Sequence, residues 1–143
     1  KWKNLVQTGA RWDHKPILRK MLQLTQNDHH FPIQGDPDHE YFYDIWSNIH
    51  YGYVGRAAGF TATELQLGHQ MGGSAGQTDP MDIETVQLGI DLWNQYELNL
   101  TQTQFHQAIL NRRARMLQVQ ATPQYQQAVG SGFQHITPIT DGQ

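Results

Sequence analysis

Carboxylate, amide and imidazole side chains recur at short spacing in the stretch DHEYFYDIWSNIHYGYVGRAAGF, residues 38–60. Residues four apart share a helical face, so a helix here would line up Glu40, Asp44, Asn48 and Gly52, with Tyr51 and Gly55 beside the far end. Two carboxylates on such a face repel each other. Where they are partly buried one pKa rises, which gives one acid and one base from a single residue type. Glu40 and Asp44 are therefore candidate catalytic groups, and Asn48, Tyr51, Gly52, Gly55 and Arg56 candidate substrate contacts. Glycine costs a helix about 1 kcal/mol relative to alanine, so something approaches the backbone at Gly52 and Gly55, either a partner helix or a ligand. The plain alternative is a solvated polar face with small-residue helix packing. His50 falls on a different face from Asp44, near Trp46 and Val54, and is a candidate acid–base group. A hydrogen-bonded structural histidine is the commoner case in such surroundings.

A second group, Arg11, Trp12, Asp13, His14 and Lys15, precedes Pro16. Asp13 is either a further catalytic carboxylate or the cap of a helix opening at Pro16. Trp12 and Lys15 are candidate substrate contacts. Asp28, His29, His30 and His39 form only a weak metal pattern, because adjacent histidines cannot both face one ion without a particular backbone. No metal ligands and no cofactor are expected. Arg112, Arg113 and Arg115 make one dense basic cluster, read first as a solvated face and second as a phosphate contact. The chain has no P-loop, dinucleotide fingerprint, nucleophile elbow or HExxH helix.

The elements that must position these groups are punctuated by proline and short caps. Pro16 opens a helix over 16–26, and 27–35 reads as a loop. Asp36 and Pro37 read as N-cap and first turn of a helix running to Phe60, with Phe42, Ile45, Trp46, Ile49 and Tyr53 as its apolar stripe. Thr61 and Glu64 form a capping box for a helix to Met71, followed by the connector GGSAGQT. Asp79 and Pro80 open the next helix, with Ile83, Val86, Ile90 and Trp93 facing inward and Gly89 marking close packing. Thr101 and Gln104 cap a helix to Gln120 whose inward face is Phe105, Ala108, Ile109 and Met116, and Thr122 and Pro123 begin a last short turn. No segment shows sustained strand alternation. The expected fold is mainly α, a compact single-domain bundle of about five to six helices over 1–129, with a loosely attached tail over 130–143.

Composition sets outer bounds. With 143 residues, 38% hydrophobic, the chain has the size and apolar content of one folded domain. Its lack of cysteine removes disulfides, thiolate nucleophiles and cysteine-based metal sites. A net charge of -3 weighs modestly against general nucleic-acid binding. No apolar run is long enough for a membrane-spanning helix. The chain starts at Lys1 with no signal-like segment, and so reads as a piece of something longer.

Three motifs together resemble the bacterial polymorphic toxin type 44 domain: WDHK at 12–15, YFYDIWSNIHYGYVGRAAGF at 41–60 and DPMDIETVQLGIDLW at 79–93. The middle one is the most specific, through Asp44, Asn48, His50, Tyr51, Gly52, Gly55 and the run 57–59. The resemblance covers roughly the first two thirds of the chain. It implies a C-terminal toxin of a larger secreted or injected carrier, including type VI effectors, directed at competing bacteria and neutralised by a dedicated immunity protein. It carries over no catalytic residue. The first enzymatic expectation is a peptidoglycan hydrolase acting in the periplasm. In it Glu40 or Asp44 is the general acid and Asp13 or Asp79 the second carboxylate, spaced about 5 Å apart for retention or about 6.5–9.5 Å for inversion. The alternative is a nuclease acting in the cytoplasm, with His50 or His14 as acid–base groups, Lys15 or Arg56 on phosphate, and Asp44 orienting an imidazole or holding a metal. A non-enzymatic binding or membrane-active module is the weakest expectation.

Overall fold

The computed structural model describes residues 30–72, 78–130 and 132–139. In chain order the elements are β1 (His30–Ile33), β2 (Asp36–Phe42), α1 (Asp44–Ala57), α2 (Ala62–Gly72), α3 (Pro80–Tyr96), a 3-10 turn (Glu97–Asn99), α4 (Gln102–Gln120), α5 (Pro123–Val129) and β3 (Ile136–Pro138). The domain is mainly helical, as expected, with five α-helices among the described residues. The helix expected over 16–26 lies outside them.

Local chemistry explains most helix starts. Glu64 N–H donates to Thr61 Oγ1 at 3.1 Å while Thr61 N–H donates to Glu64 Oε1 at 2.9 Å. Thr101 and Gln104 close the same reciprocal pair at the start of α4. Asp79 caps α3 by accepting from Met81 N–H, with Pro80 in the first turn where no N–H is needed.

The long helix expected from Pro37 begins seven residues later than its expected N1, at Asp44, because residues 36–42 form a strand. Asp36 does not cap a helix. Its buried carboxylate accepts from the Tyr41 hydroxyl, pairs with Arg113 at 2.9 Å and sits 3.1 Å from His39 Nδ1. The turn before it contains Gly35 at φ +98, a conformation that returns the chain as a hairpin onto β1. The sheet has the order β1-β2-β3 and both pairings are antiparallel. Strand β3 comes from the stretch expected to hang loosely. Gln120 grips it by accepting from Ile136 N–H at 2.9 Å and donating to Ile136 O at 3.0 Å, and His135 and Ile136 are buried. Thus residues 132–139 belong to the folded body.

Helices α1 and α3 pack backbone to backbone. A Cβ on Gly52 would lie 2.3 Å from Val86 O, and one on Gly89 would lie 2.0 Å from Ile49 O. Gly55 faces the Leu65 side chain of α2 instead. The close approach inferred from these glycines is therefore that of neighbouring helices. On α3 the inward stripe is Met81, Val86, Leu88, Ile90 and Leu92, whereas Ile83 is exposed. On α4 the basic cluster is engaged within the domain. Arg112 and Arg115 both bind Glu84, Arg112 also binds Asp91, and Arg113 binds Asp36.

The Asp36 contact has a consequence for acid stability. Burial alone would raise its pKa, but hydrogen bonds from Tyr41, Arg113, His39 and Asp38 N–H outweigh that and hold it well below the usual carboxylate range. A depressed folded pKa stabilises the fold above the unfolded value, about 3.9, and that contribution is lost as pH falls further. Thermal melts across pH 2–5 are expected to show a steep loss below about pH 4. Asp36→Asn should flatten that slope and lower stability at pH 7 by on the order of 2 kcal/mol.

Candidate active site

Three elements bring acidic and imidazole side chains together. The first turn of α1 supplies Asp44 and, one turn on, Asn48; the N-terminal end of α3 supplies Asp79, Asp82 and Thr85; the foot of β3 supplies His135. His135 Nε2 lies 3.9 Å from Asp44 Oδ2 and 3.9 Å from Asp79 Oδ2. One donor atom each from Asp44, Asp82 and His135 fall within 4.8 Å of one another. The glycine contacts between α1 and α3 allow the two helices to hold these carboxylates so close.

Asp79, Asp82 and His135 are each fixed from behind. Asp79 Oδ1 accepts from Met81 N–H at 2.9 Å. Asn48 Nδ2 donates to Asp82 Oδ1 at 2.8 Å and to Thr85 Oγ1 at 3.1 Å, and Asn48 Oδ1 pairs with His69 Nε2 at 3.0 Å. The Tyr125 hydroxyl accepts from His135 N–H at 2.9 Å and meets His135 Nδ1 at 2.7 Å. Phe42 and Phe133 stand edge-on to the imidazole, with ring centres 5.4 and 5.1 Å away. Burial, then the neighbouring Asp82 and, more weakly, Asp44, push the Asp79 carboxyl up to about 6 against the opposing pull of Met81 N–H and His135. Burial likewise raises the Tyr125 phenol to about 12, so it remains protonated at neutral pH.

Of the expected site residues, Asp44 joins this cluster and Asn48 supports it. Glu40 does not share a face with Asp44. It stands on β2, paired with Pro32 and Thr137, because the strand runs through its position. His50 is exposed on α1, outside the cluster. Tyr51 is buried and its hydroxyl donates to Leu65 O at 2.7 Å. Arg56 donates to Phe60 O and Asn94 Oδ1, which ties α1 to its following turn and to α3. Gly52 and Gly55 receive helix neighbours. Trp12, Asp13 and Lys15 lie outside the described residues. Asp79, named as a possible second carboxylate, is brought beside Asp44.

Sequence reasoning singled out neither His135 nor Asp82 as a site residue. For His135 the available signal was HITPIT, whose β-branched residues mark a strand. For Asp82 it was a second carboxylate at a helix start already capped by Asp79.

A family model described as bacterial toxin 44 matches residues 1–95. The chain belongs to that family. The matched part of this bacterial toxin domain contains Asp44, Asn48, Asp79 and Asp82, while Tyr125 and His135 come after it. No match was found among curated proteins or solved structures.

Proposed function

We propose that this toxin domain is a hydrolase and that it cuts the phosphodiester backbone of nucleic acid in the target bacterium. The observation that carries the reading is the convergence of Asp44, Asp79 and Asp82 on the His135 imidazole. In the proposed step a water oxygen bonds to phosphorus and its proton passes to the Asp79 carboxylate. The P–O ester bond then breaks, and the leaving oxygen departs with a proton from solvent. Charge along the chain supports a polyanionic substrate, since residues 1–29 hold six of the ten Lys and Arg but only two of the thirteen acidic residues.

Peptidoglycan glycan strands are the second reading, favoured by the placement of Asp44 and Asp79 on either side of His135 Nε2. Of its two general-acid candidates, Glu40 stands apart on β2. Of the rings that could stack on sugar, Tyr41, Tyr43 and Tyr51 are buried in the body of the domain, and Trp46 and Tyr53 are half-buried. Delivery within a larger secreted carrier and neutralisation by an immunity protein follow from the same family reading, and a nucleic-acid substrate sets the site of action in the recipient cytoplasm.

Purified domain should be incubated with RNA, DNA and isolated sacculi. Cleavage of RNA or DNA is expected, falling about 10²–10⁴-fold in Asp79→Asn, whose amide oxygen can still cap α3. Release of soluble glycan fragments from sacculi, with nucleic acid left intact, would overturn the nuclease reading in favour of the wall.

A further inference from the structure

We infer that Asp44, Asp82 and His135 form a binding site for a divalent first-row transition cation of the Mn²⁺ or Zn²⁺ class. The inference rests on the hydrolase reading for what the ion does, and on geometry alone for its binding. One donor atom from each residue lies within 4.8 Å of the other two. Ligands bound at roughly 2.0–2.2 Å around one ion are about 3–4 Å apart, so a small inward movement of three side chains closes the site.

The imidazole supplies an observation independent of the acidic residues. The His135 side chain is 3% exposed, and its Nε2 lies 3.9 Å from Asp44 Oδ2, beyond hydrogen-bond reach and within the spacing of two ligands of a shared ion, while Asp79 Oδ2 stands at the same distance outside the set. Its other nitrogen is occupied. Tyr125 Oη, 2.7 Å from Nδ1, can accept Nδ1–H as it accepts the backbone N–H, leaving the Nε2 lone pair directed at the carboxylates. Metal-binding histidines are commonly held in this way, with the second nitrogen donating to a fixed oxygen. Asn48 orients Asp82 similarly through its 2.8 Å hydrogen bond.

Two carboxylates and one imidazole form a mixed oxygen and nitrogen donor set, which suits Mn²⁺ or Zn²⁺ better than the oxygen-only preference of Mg²⁺. Three protein ligands leave positions open for water and a phosphate oxygen. The cation would polarise that oxygen and lower the pKa of the bound water, while Asp79 stays outside the ligand set to take the water's proton.

The test is titration of the intact, chelator-stripped domain with MnCl₂, ZnCl₂ or MgCl₂, followed by calorimetry, Mn²⁺ electron paramagnetic resonance and thermal shift. Saturable one-to-one binding of Mn²⁺ or Zn²⁺ is expected. Asp82→Asn and His135→Gln should weaken it at least about 100-fold, and Tyr125→Phe about 10–100-fold, with circular dichroism checking that each variant is folded. His135→Gln alters a buried position, so the half-buried Asp82→Asn is the deciding variant if the former fails to fold. No saturable binding by the wild type, or unchanged affinity in folded Asp82→Asn, overturns the site. Binding without cleavage of nucleic acid would leave the site standing and remove the nuclease reading. Undiminished cleavage in a strong chelator, with no ion bound, would do the reverse.

Discussion

Asp44→Asn is expected to reduce killing and hydrolysis by about three orders of magnitude while leaving the fold in place. The substitution changes almost no volume and removes the carboxylate charge that faces His135 Nε2. Two modest effects on stability oppose each other. Asp44 lies in the first turn of α1, where a negative charge interacts favourably with the helix dipole by about 0.3–1 kcal/mol. It also repels Asp79, contributing to the raised pKa of that group. A melting temperature within a few degrees of wild type, with toxicity lost in cells and hydrolysis lost in purified protein, is the expected pair of measurements. A variant that kills as well as wild type would make Asp44 a structural residue and remove the centre proposed around it.

Gly89→Ala is expected to be strongly destabilising. Alanine is intrinsically favoured over glycine in a helix by about 1 kcal/mol, so a solvent-facing site would gain from the change. Here the added methyl would sit 2.0 Å from Ile49 O and 2.9 Å from Tyr53 N, both backbone atoms of α1 that cannot rotate away. Overpacking costs of about 1–3 kcal/mol are typical, and a backbone obstacle belongs at the upper end. A net loss near 2 kcal/mol lowers the melting temperature by roughly 5–10 °C in a domain of this size. Gly55→Ala meets only the Leu65 side chain and should cost less. Hydrolysis by Gly89→Ala should fall even below its melting point, because the displaced helices separate Asp44 from Asp79 and Asp82. Equal melting temperatures for Gly89→Ala and wild type would show that α1 and α3 are not in the close contact described.

The helices whose starts depend on neighbouring side chains were legible before any coordinates. Thr61 with Glu64, Thr101 with Gln104 and Asp79 with Pro80 mark real N-termini because the capping partners lie within three residues. Gly89 likewise announced the close helix contact. Asp36 with Pro37 carries the same local signature and opens a strand, since its carboxylate is bound by Tyr41 and by Arg113 from the distant α4. Proline fits at the end of β2 because it lies outside the register where strand N–H groups are paired. That one displaced start moved Glu40 off the helix and dissolved the expected stripe. Asp44 and Asn48 remained one turn apart on α1, so half of the centre was readable from spacing. The other half was not, because Asp79, Asp82 and His135 reach Asp44 only through tertiary packing. Two backbone approaches and the Gln120 hydrogen bonds to Ile136 decide it, and none of these leaves a periodic mark in the chain.

The order in which the centre's parts are made follows from His135 lying at the foot of β3. A translating ribosome polymerises Asp44, Asp79 and Asp82 well before it reaches the histidine, so a nascent toxin carries its acids without the imidazole that completes them. Any interrupted product ending short of residue 135 should be inert toward the cell that makes it, and late nonsense mutations should disarm the toxin outright.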